Sequence, residues 1–385
     1  METFDWRQLY AANRAAIEDH GVPGASGLTY PQTLPGSGAR GLRGRPRTRA
    51  QRLPAFPPLV RPADAPVPSA TDPSLGRGTW EQLACQDAGR TRSVFVYTPP
   101  TVSTTSPAGL VVMLHGCSQT SAGFAAESTM NRAADRHGFV VVYPQQGHQD
   151  NQQSCWNWFL ASHQQRDAGE PRFIAEALRM VMDSGARRRI DPARVFVAGL
   201  SAGGAMAAVM AATYPDRFAG LAVHSGLAYG SATSLPAAYG AMAQGGPDPR
   251  ALGRAAHAAM GRRARAIPTL VVHGGADRVV APVNGDQLVE QWMAANRLAA
   301  PGTFDPDFHR PSQTSHGRVE GGHAYTSRRW LDRRGTLVQE YLTVEGLAHA
   351  WSGGSAGGLL ADPRGPDASE AIWDFFTRTT GAGRG

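Results

Sequence analysis

From residue 79 onward, apolar and polar positions follow two alternating rhythms. RSVFVYTP (92–99), GLVVMLHG (109–116), FVVVYPQ (139–145), ARVFVAGLS (193–201), AGLAVHSG (219–226) and IPTLVVHGG (267–275) are short, nearly continuous apolar runs that read as strands. Between them, AAESTMNRAADRHG, RFIAEALRMVMDSGA, AGGAMAAVMAATYPDRF and NGDQLVEQWMAANRL carry apolar residues three and four apart and read as helices. Strands that are apolar on both faces and alternate with helices predict an α/β fold, a mostly parallel sheet with helices on both faces. TLVQEYLTVEG (336–346) adds a strand and ASEAIWDFFTRT a closing helix. Two stretches break the rhythm: 226–262 is small, Gly-rich and weakly periodic, and 297–334 carries Pro, Gly, Arg and several His in an irregular insertion. Insertions after sheet strands shape substrate sites or form plain surface loops.

The chain before this region differs in kind. Residues 1–20 predict a short amphipathic helix with Phe4, Leu9, Tyr10 and Ile17 on its apolar side. A Pro/Gly/Arg-rich segment follows, and GARGLRGRPRTRAQR (38–52) contains no acid and little to bury, which reads as a tether. The expected organisation is therefore an N-terminal part, 1–76, and an α/β domain, 77–385.

Composition narrows the chemistry. The net charge is +7, yet every cation is Arg and many sit in the N-terminal segment without interleaved aromatics, which argues against nucleic acid as partner. The absence of Lys excludes Schiff-base catalysis and a P-loop. Cys85, Cys117 and Cys155 lack zinc-site spacing, so neither metal nor cofactor is expected. No stretch approaches the ~20 apolar residues of a membrane span, and the first residues lack the basic and apolar regions of a secretory signal.

Against this background Gly199-Leu200-Ser201-Ala202-Gly203 stands out. It follows a predicted strand and opens a predicted helix, the setting of a nucleophile elbow, with Ser201 as nucleophile and Gly199 and Gly203 small on steric grounds. The helix start directs free N–H groups and a positive dipole end at the reaction centre. Such a Ser needs a base and an acid, in chain order Ser, Asp, His. Asp277 follows the strand TLVVHGG, and is preferred over Asp286, Asp305 and Asp307; His349 follows TLVQEYLTVEG, and is preferred over His257, His309, His316 and His323. The backbone amides of Ala202 and of Cys117, in LHGCSQT, are the expected oxyanion-hole donors. Trp156, Trp158 and Trp351 are candidates for an apolar substrate wall, with core packing as the alternative.

Taken together, LHGCSQT (114–120), YPQQ (143–146), SCWNWF (154–159), FVAGLSAGGAMA (196–207), HGGADRVVAPVNGDQ (273–287), GLAHAWSGG and DPRGPDAS resemble the polyhydroxybutyrate depolymerase family of α/β-hydrolase esterases. The resemblance spans most of residues 80–380 and implies a triad of Ser201, Asp277 and His349. It implies hydrolysis of short-chain polyhydroxyalkanoate esters, with feruloyl or acetyl-xylan ester hydrolysis as the alternative. It further implies that Cys117 and Cys155 pair in secreted relatives, leaving Cys85 unpaired; three free thiols are the other reading. Location is expected to be extracellular by resemblance, or cytoplasmic given the missing signal. That missing signal, and a chain ending soon after ASEAIWDFFTRT, point to amorphous polymer, oligomers or small esters. Oligomeric state stays open. A non-catalytic module on the same fold is disfavoured because every triad and oxyanion position is present.

Overall fold

The computed structural model describes residues 75–184 and 188–380. The helix and most of the Pro/Gly/Arg-rich segment expected before residue 77 lie outside the described residues. Leu75, the first described residue, is buried, and its carbonyl accepts from Asn131 Nδ2 at 2.8 Å.

The strands are β1 (Thr79–Asp87), β2 (Arg90–Thr98), β3 (Ala108–Leu114), β4 (Phe139–Pro144), β5 (Ile190–Leu200), β6 (Gly220–His224), β7 (Thr269–Gly274), β8 (Gln313–Arg318), β9 (Ala324–Leu331) and β10 (Leu337–Val344). Among the described residues they form one sheet in the order β1-β2-β4-β3-β5-β6-β7-β10-β9-β8. The middle, from β4 to β10, is parallel. Antiparallel pairs extend it at both edges. The helices are α1 (Ser121–Ser128), α2 (Met130–His137), α3 (Gly169–Asp183), α4 (Ala202–Thr213), α5 (Leu235–Gln244), α6 (Pro249–Met260), α7 (Val283–Ala299) and α8 (Ala368–Thr379). A small ladder, β11 (Trp351–Ser352) with β12 (Ala361–Asp362), lies near the end of the chain.

The period-2 geometry of a strand sends successive side chains to opposite faces. Val94, Val96, Leu110, Val112, Val195 and Val197 therefore enter one core with α3, α4, α6 and α7. Phe95, Tyr97, Val111, Met113, Phe196 and Ala198 enter the other, under α1, α2 and α8. Helix α4 is buried all round, which is why its sequence is nearly all Ala, Gly, Met and Val.

Three segments differ from the sequence expectation. The single helix read over 125–138 is two, broken at Thr129, whose φ of 58° is left-handed. Residues 226–262 hold α5 and α6; α5 is rich in Ala and gives little contrast between faces, whereas α6 buries Leu252, Ala256 and Met260 in a short turn-flanked run. Residues 297–334 hold β8 and β9; β8 reads QTSHGR and is largely exposed, so an edge strand carries no apolar alternation to find.

Trp373 on α8 shows how tightly the second core closes: its ring stacks on Phe139 at 3.9 Å between centroids and meets Phe196 edge-on at 6.2 Å. Trp373→Ala is expected to cost about 3–5 kcal/mol of unfolding free energy in urea titrations.

Candidate active site

Strand β5 ends at Leu200 and α4 begins at Ala202, so Ser201 alone makes the turn. Its φ of 57° and ψ of −122° lie where non-glycine residues rarely sit, and the strain is held by Ser201 N–H donating to His224 O at 2.9 Å. The flanking glycines leave no room for a side chain. A Cβ on Gly203 would lie 2.0 Å from Leu114 O, and one on Gly199 would lie 2.4 Å from the Gly203 backbone.

Asp277, on the turn after β7, is buried. Its Oδ2 accepts from His349 Nδ1 at 2.8 Å, and its Oδ1 accepts from Val279 and Val280 N–H, both at 2.9 Å. Burial pushes this carboxyl up, but the charge and hydrogen bond of His349, the nearby His273 and the Val280 amide outweigh it and hold the group below its ordinary value. The loops carrying Asp277 and His349 are sewn together: Gly275 N–H donates to Val344 O at 2.8 Å and Ala276 N–H to Leu347 O at 3.0 Å. A Cβ on Gly274 would meet Leu347 O at 2.2 Å, so that turn also requires glycine.

The loop after β3 is fixed from both sides. Gly116 N–H donates to Gln119 Oε1 at 2.7 Å, and Ser118 N–H to Gln153 O at 2.7 Å. Cys117 and Cys155 form a disulfide, joining this loop to the one that carries Trp156 and Trp158, while Cys85 is a buried free thiol. Beneath that second loop, buried Glu170 accepts from Asn157 N–H at 2.7 Å and Asn157 Nδ2 at 2.6 Å. Gln146, which also donates to Glu170, reaches Cys155 O at 2.9 Å.

Ser201, Ala202, Cys117 and Cys155 line one cavity of about 260 Å³, together with Trp158, Phe159, Leu227, Val280 and side chains of α5. Of the three tryptophans that were candidates for a substrate wall, Trp158 alone lines this cavity. Trp156 and Trp351 are fully buried, a correction that follows from what they touch. Trp156 packs by His115 and Phe173, and Trp351 stacks on His224 at 5.0 Å and donates to Ser369 Oγ at 3.2 Å. Of the other histidines and aspartates weighed from the sequence, His323 pairs instead with Asp362 at 3.0 Å, and Asp305 and Asp307 pair with Arg297 and Arg310. Among the described residues no group of His, Cys, Asp and Glu is arranged to hold a metal ion.

His224 is the residue that sequence reasoning missed. Its carbonyl holds Ser201, its ring stacks on Trp351, and its Nε2 accepts from Ser352 N–H at 3.0 Å, so it ties the elbow to the His349 loop. His115 plays the same part beneath the Cys117 loop, its Nε2 accepting from Gln146 N–H at 3.1 Å. An Nε2 that accepts from an amide carries no proton, so both rings are neutral with hydrogen on Nδ1. Burial, with the nearby imidazoles of His273 and His349 adding to it, lowers His224 to about 3, and burial lowers His115 to about 4.

A family model described as "Esterase PHB depolymerase" matches residues 92–304. The chain is 36% identical over 259 residues to the poly(3-hydroxyalkanoate) depolymerase C of Paucimonas lemoignei, covering 66% of this chain and 58% of that protein. The protein belongs to the PHB depolymerase esterase family. Another relative of this family member is the poly(3-hydroxybutyrate) depolymerase of Ralstonia pickettii, 31% identical over 309 residues, covering 76% of this chain and 58% of that one. The chain thus spans under two thirds of the length of either relative. The acetyl xylan esterase from Aspergillus awamori shares the fold, with a TM-score of 0.59 at 24% identity over 71% of this chain and 94% of that one.

Two predictions follow from this geometry. In the unfolded chain both histidines titrate near 6.5, whereas in the fold they stay neutral until about pH 4 and 3. Below pH 6.5 the unfolded state therefore binds more protons, so stability is full at neutral pH and falls as pH drops. Lowering pH from 7 to 5.5 should cost about 2–3 kcal/mol in urea unfolding through these two groups. Alkylation after denaturation without reductant should label Cys85 alone, and mass spectrometry reads the number of labels.

Proposed function

We propose that this protein is a serine esterase that hydrolyses short-chain polyhydroxyalkanoate esters, as polymer segments or oligomers, through an acyl-enzyme. The observation that carries the reading is the Asp277–His349 hydrogen bond of 2.8 Å in the chain order a Ser201 elbow requires. Ser201 Oγ attacks the ester carbonyl while His349 takes its proton and passes it to the leaving alcohol. Asp277 holds the imidazole by Nδ1–H and stabilises its charged form. The amides of Cys117 and Ala202 donate to the developing oxyanion; the Ala202 amide belongs to the first turn of α4, where N–H groups lack partners within the helix. Water then attacks the acyl-enzyme by the same route in reverse. The catalytic unit is residues 77–385.

The relatives' names supply the polyester, and the cavity agrees with it. Among the described residues that line it none is charged, and most are apolar. A polyester chain offers apolar pendant groups and ester carbonyls but no charge along its length, whereas a xylan surface presents many hydroxyls. The disulfide at the cavity suits an oxidising compartment, in keeping with action outside the cell. Among the described residues no helix is long and apolar enough to cross a membrane.

Ser201→Ala is expected to lower ester turnover by at least ~10³-fold with the fold retained, and to abolish labelling by a fluorophosphonate probe. Turnover measured side by side should favour hydroxybutyrate oligomers over feruloyl and acetyl-xylan esters; full activity in the variant would overturn the assignment.

A further inference from the structure

The cavity beside Ser201 has one wall that the chemistry of the triad does not use. Leu235, Ala238, Tyr239 and Met242, all on α5, line it. Their spacing of three, four and seven residues is one face of a helix. In an ordinary surface helix such a stripe is covered by the core; here part of it borders a cavity instead, while the opposite side of α5 is exposed.

The helix is fastened at both ends independently of that stripe. Ser234 caps its start by accepting from Ala237 N–H at 3.4 Å, and Gln164 Nε2 holds the preceding turn through Ala232 O at 2.8 Å. At the other end Met242 O accepts from Ala281 N–H at 2.8 Å and from Asn284 Nδ2 at 3.1 Å. Gly246 N–H donates to Gln287 Oε1 at 2.7 Å. Met242 is thereby held against the loop that continues from Asp277 into α7, and its side chain is largely buried, whereas Leu235 is 46% exposed.

We infer that α5 is the specificity-determining wall of the site: Met242 and Ala238 set the depth available to the substrate's apolar group beside Ser201, and Leu235 borders the mouth. The inference rests on Ser201 as nucleophile. A wall fixed by backbone and amide contacts cannot withdraw to admit a longer chain, so a group that overfills the cavity must displace a packed side chain. One methylene in an apolar pocket changes discrimination by roughly 10–200-fold. The site therefore takes a short, uncharged apolar group and rejects longer ones, and shortening the wall relaxes that limit.

The test is kcat/KM of Met242→Ala, Ala238→Leu and Leu235→Ala on p-nitrophenyl acetate, butyrate and hexanoate. The ratio between esters is read within each variant, so a poorly folded fraction cancels, and Leu235→Ala alters an exposed side chain. Met242→Ala should raise the hexanoate-to-acetate ratio at least ~10-fold, Leu235→Ala should raise it less, and Ala238→Leu should lower the butyrate-to-acetate ratio at least ~10-fold. Ratios that stay within about 2-fold of the parent in all three variants would overturn the wall while leaving the esterase reading intact. Failure of the unsubstituted protein to hydrolyse any of these esters would instead count against the nucleophile.

Discussion

The site depends on one close approach of backbone to backbone. Helix α4 starts so near the end of β3 that a Cβ on Gly203 would fall 2.0 Å from Leu114 O, and one on Gly199 would strike Gly203 itself. This contact sets how far Ser201 and the Ala202 amide lie from the loop that carries Cys117; a Cβ on Gly116 would touch that of Ser201 at 3.4 Å. It also forces the left-handed φ of Ser201, because strand and helix that are this close leave one residue to reverse direction. The remaining parts of the site are attached to this fixed point.

Attachment is made by buried polar groups rather than by further apolar packing. His224 and His115 act as neutral acceptors for backbone amides, and each joins a loop of the site to a strand end. Glu127 does similar work at a distance: its side chain is bonded by Gln119, which holds Gly116, and by Leu359 N–H at 2.9 Å in the C-terminal loops. Burial raises the Glu127 carboxyl, with these hydrogen bonds opposing it. Loops have no ladder of their own to satisfy their amides, so side chains of this kind must supply the partners.

The cavity that results is asymmetric. Asn151, Gln152 and Gln153 border it on the side of the disulfide, and the apolar face of α5 stands on another, with Trp158 and Phe159 also lining it. The cavity therefore presents side-chain amides and a hydrocarbon surface within reach of the same bound molecule.

Much of the fold, the turn at Ser201 and the Asp277–His349 pair were legible in the sequence because they rest on local signals. Continuous apolar strands marked the parallel centre from β4 to β10, the strand-serine-helix order marked the turn at Ser201, and the positions of Asp277 and His349 after strands singled out two residues that the structure joins by a hydrogen bond. Whatever depended on which faces meet was not legible. Trp156 and Trp351 share the chemistry of Trp158, yet only Trp158 reaches the cavity, because burial is decided by packing partners far along the chain. Helix α5 hid in Ala- and Gly-rich sequence, edge strand β8 in polar sequence, and His224 looked like any core histidine. The sequence by itself determined the fold class and the order of the reactive groups, since both follow from periodicity and spacing. The tertiary structure decided the lining of the cavity and the neutral histidine anchors, since these exist only where distant segments close on one another.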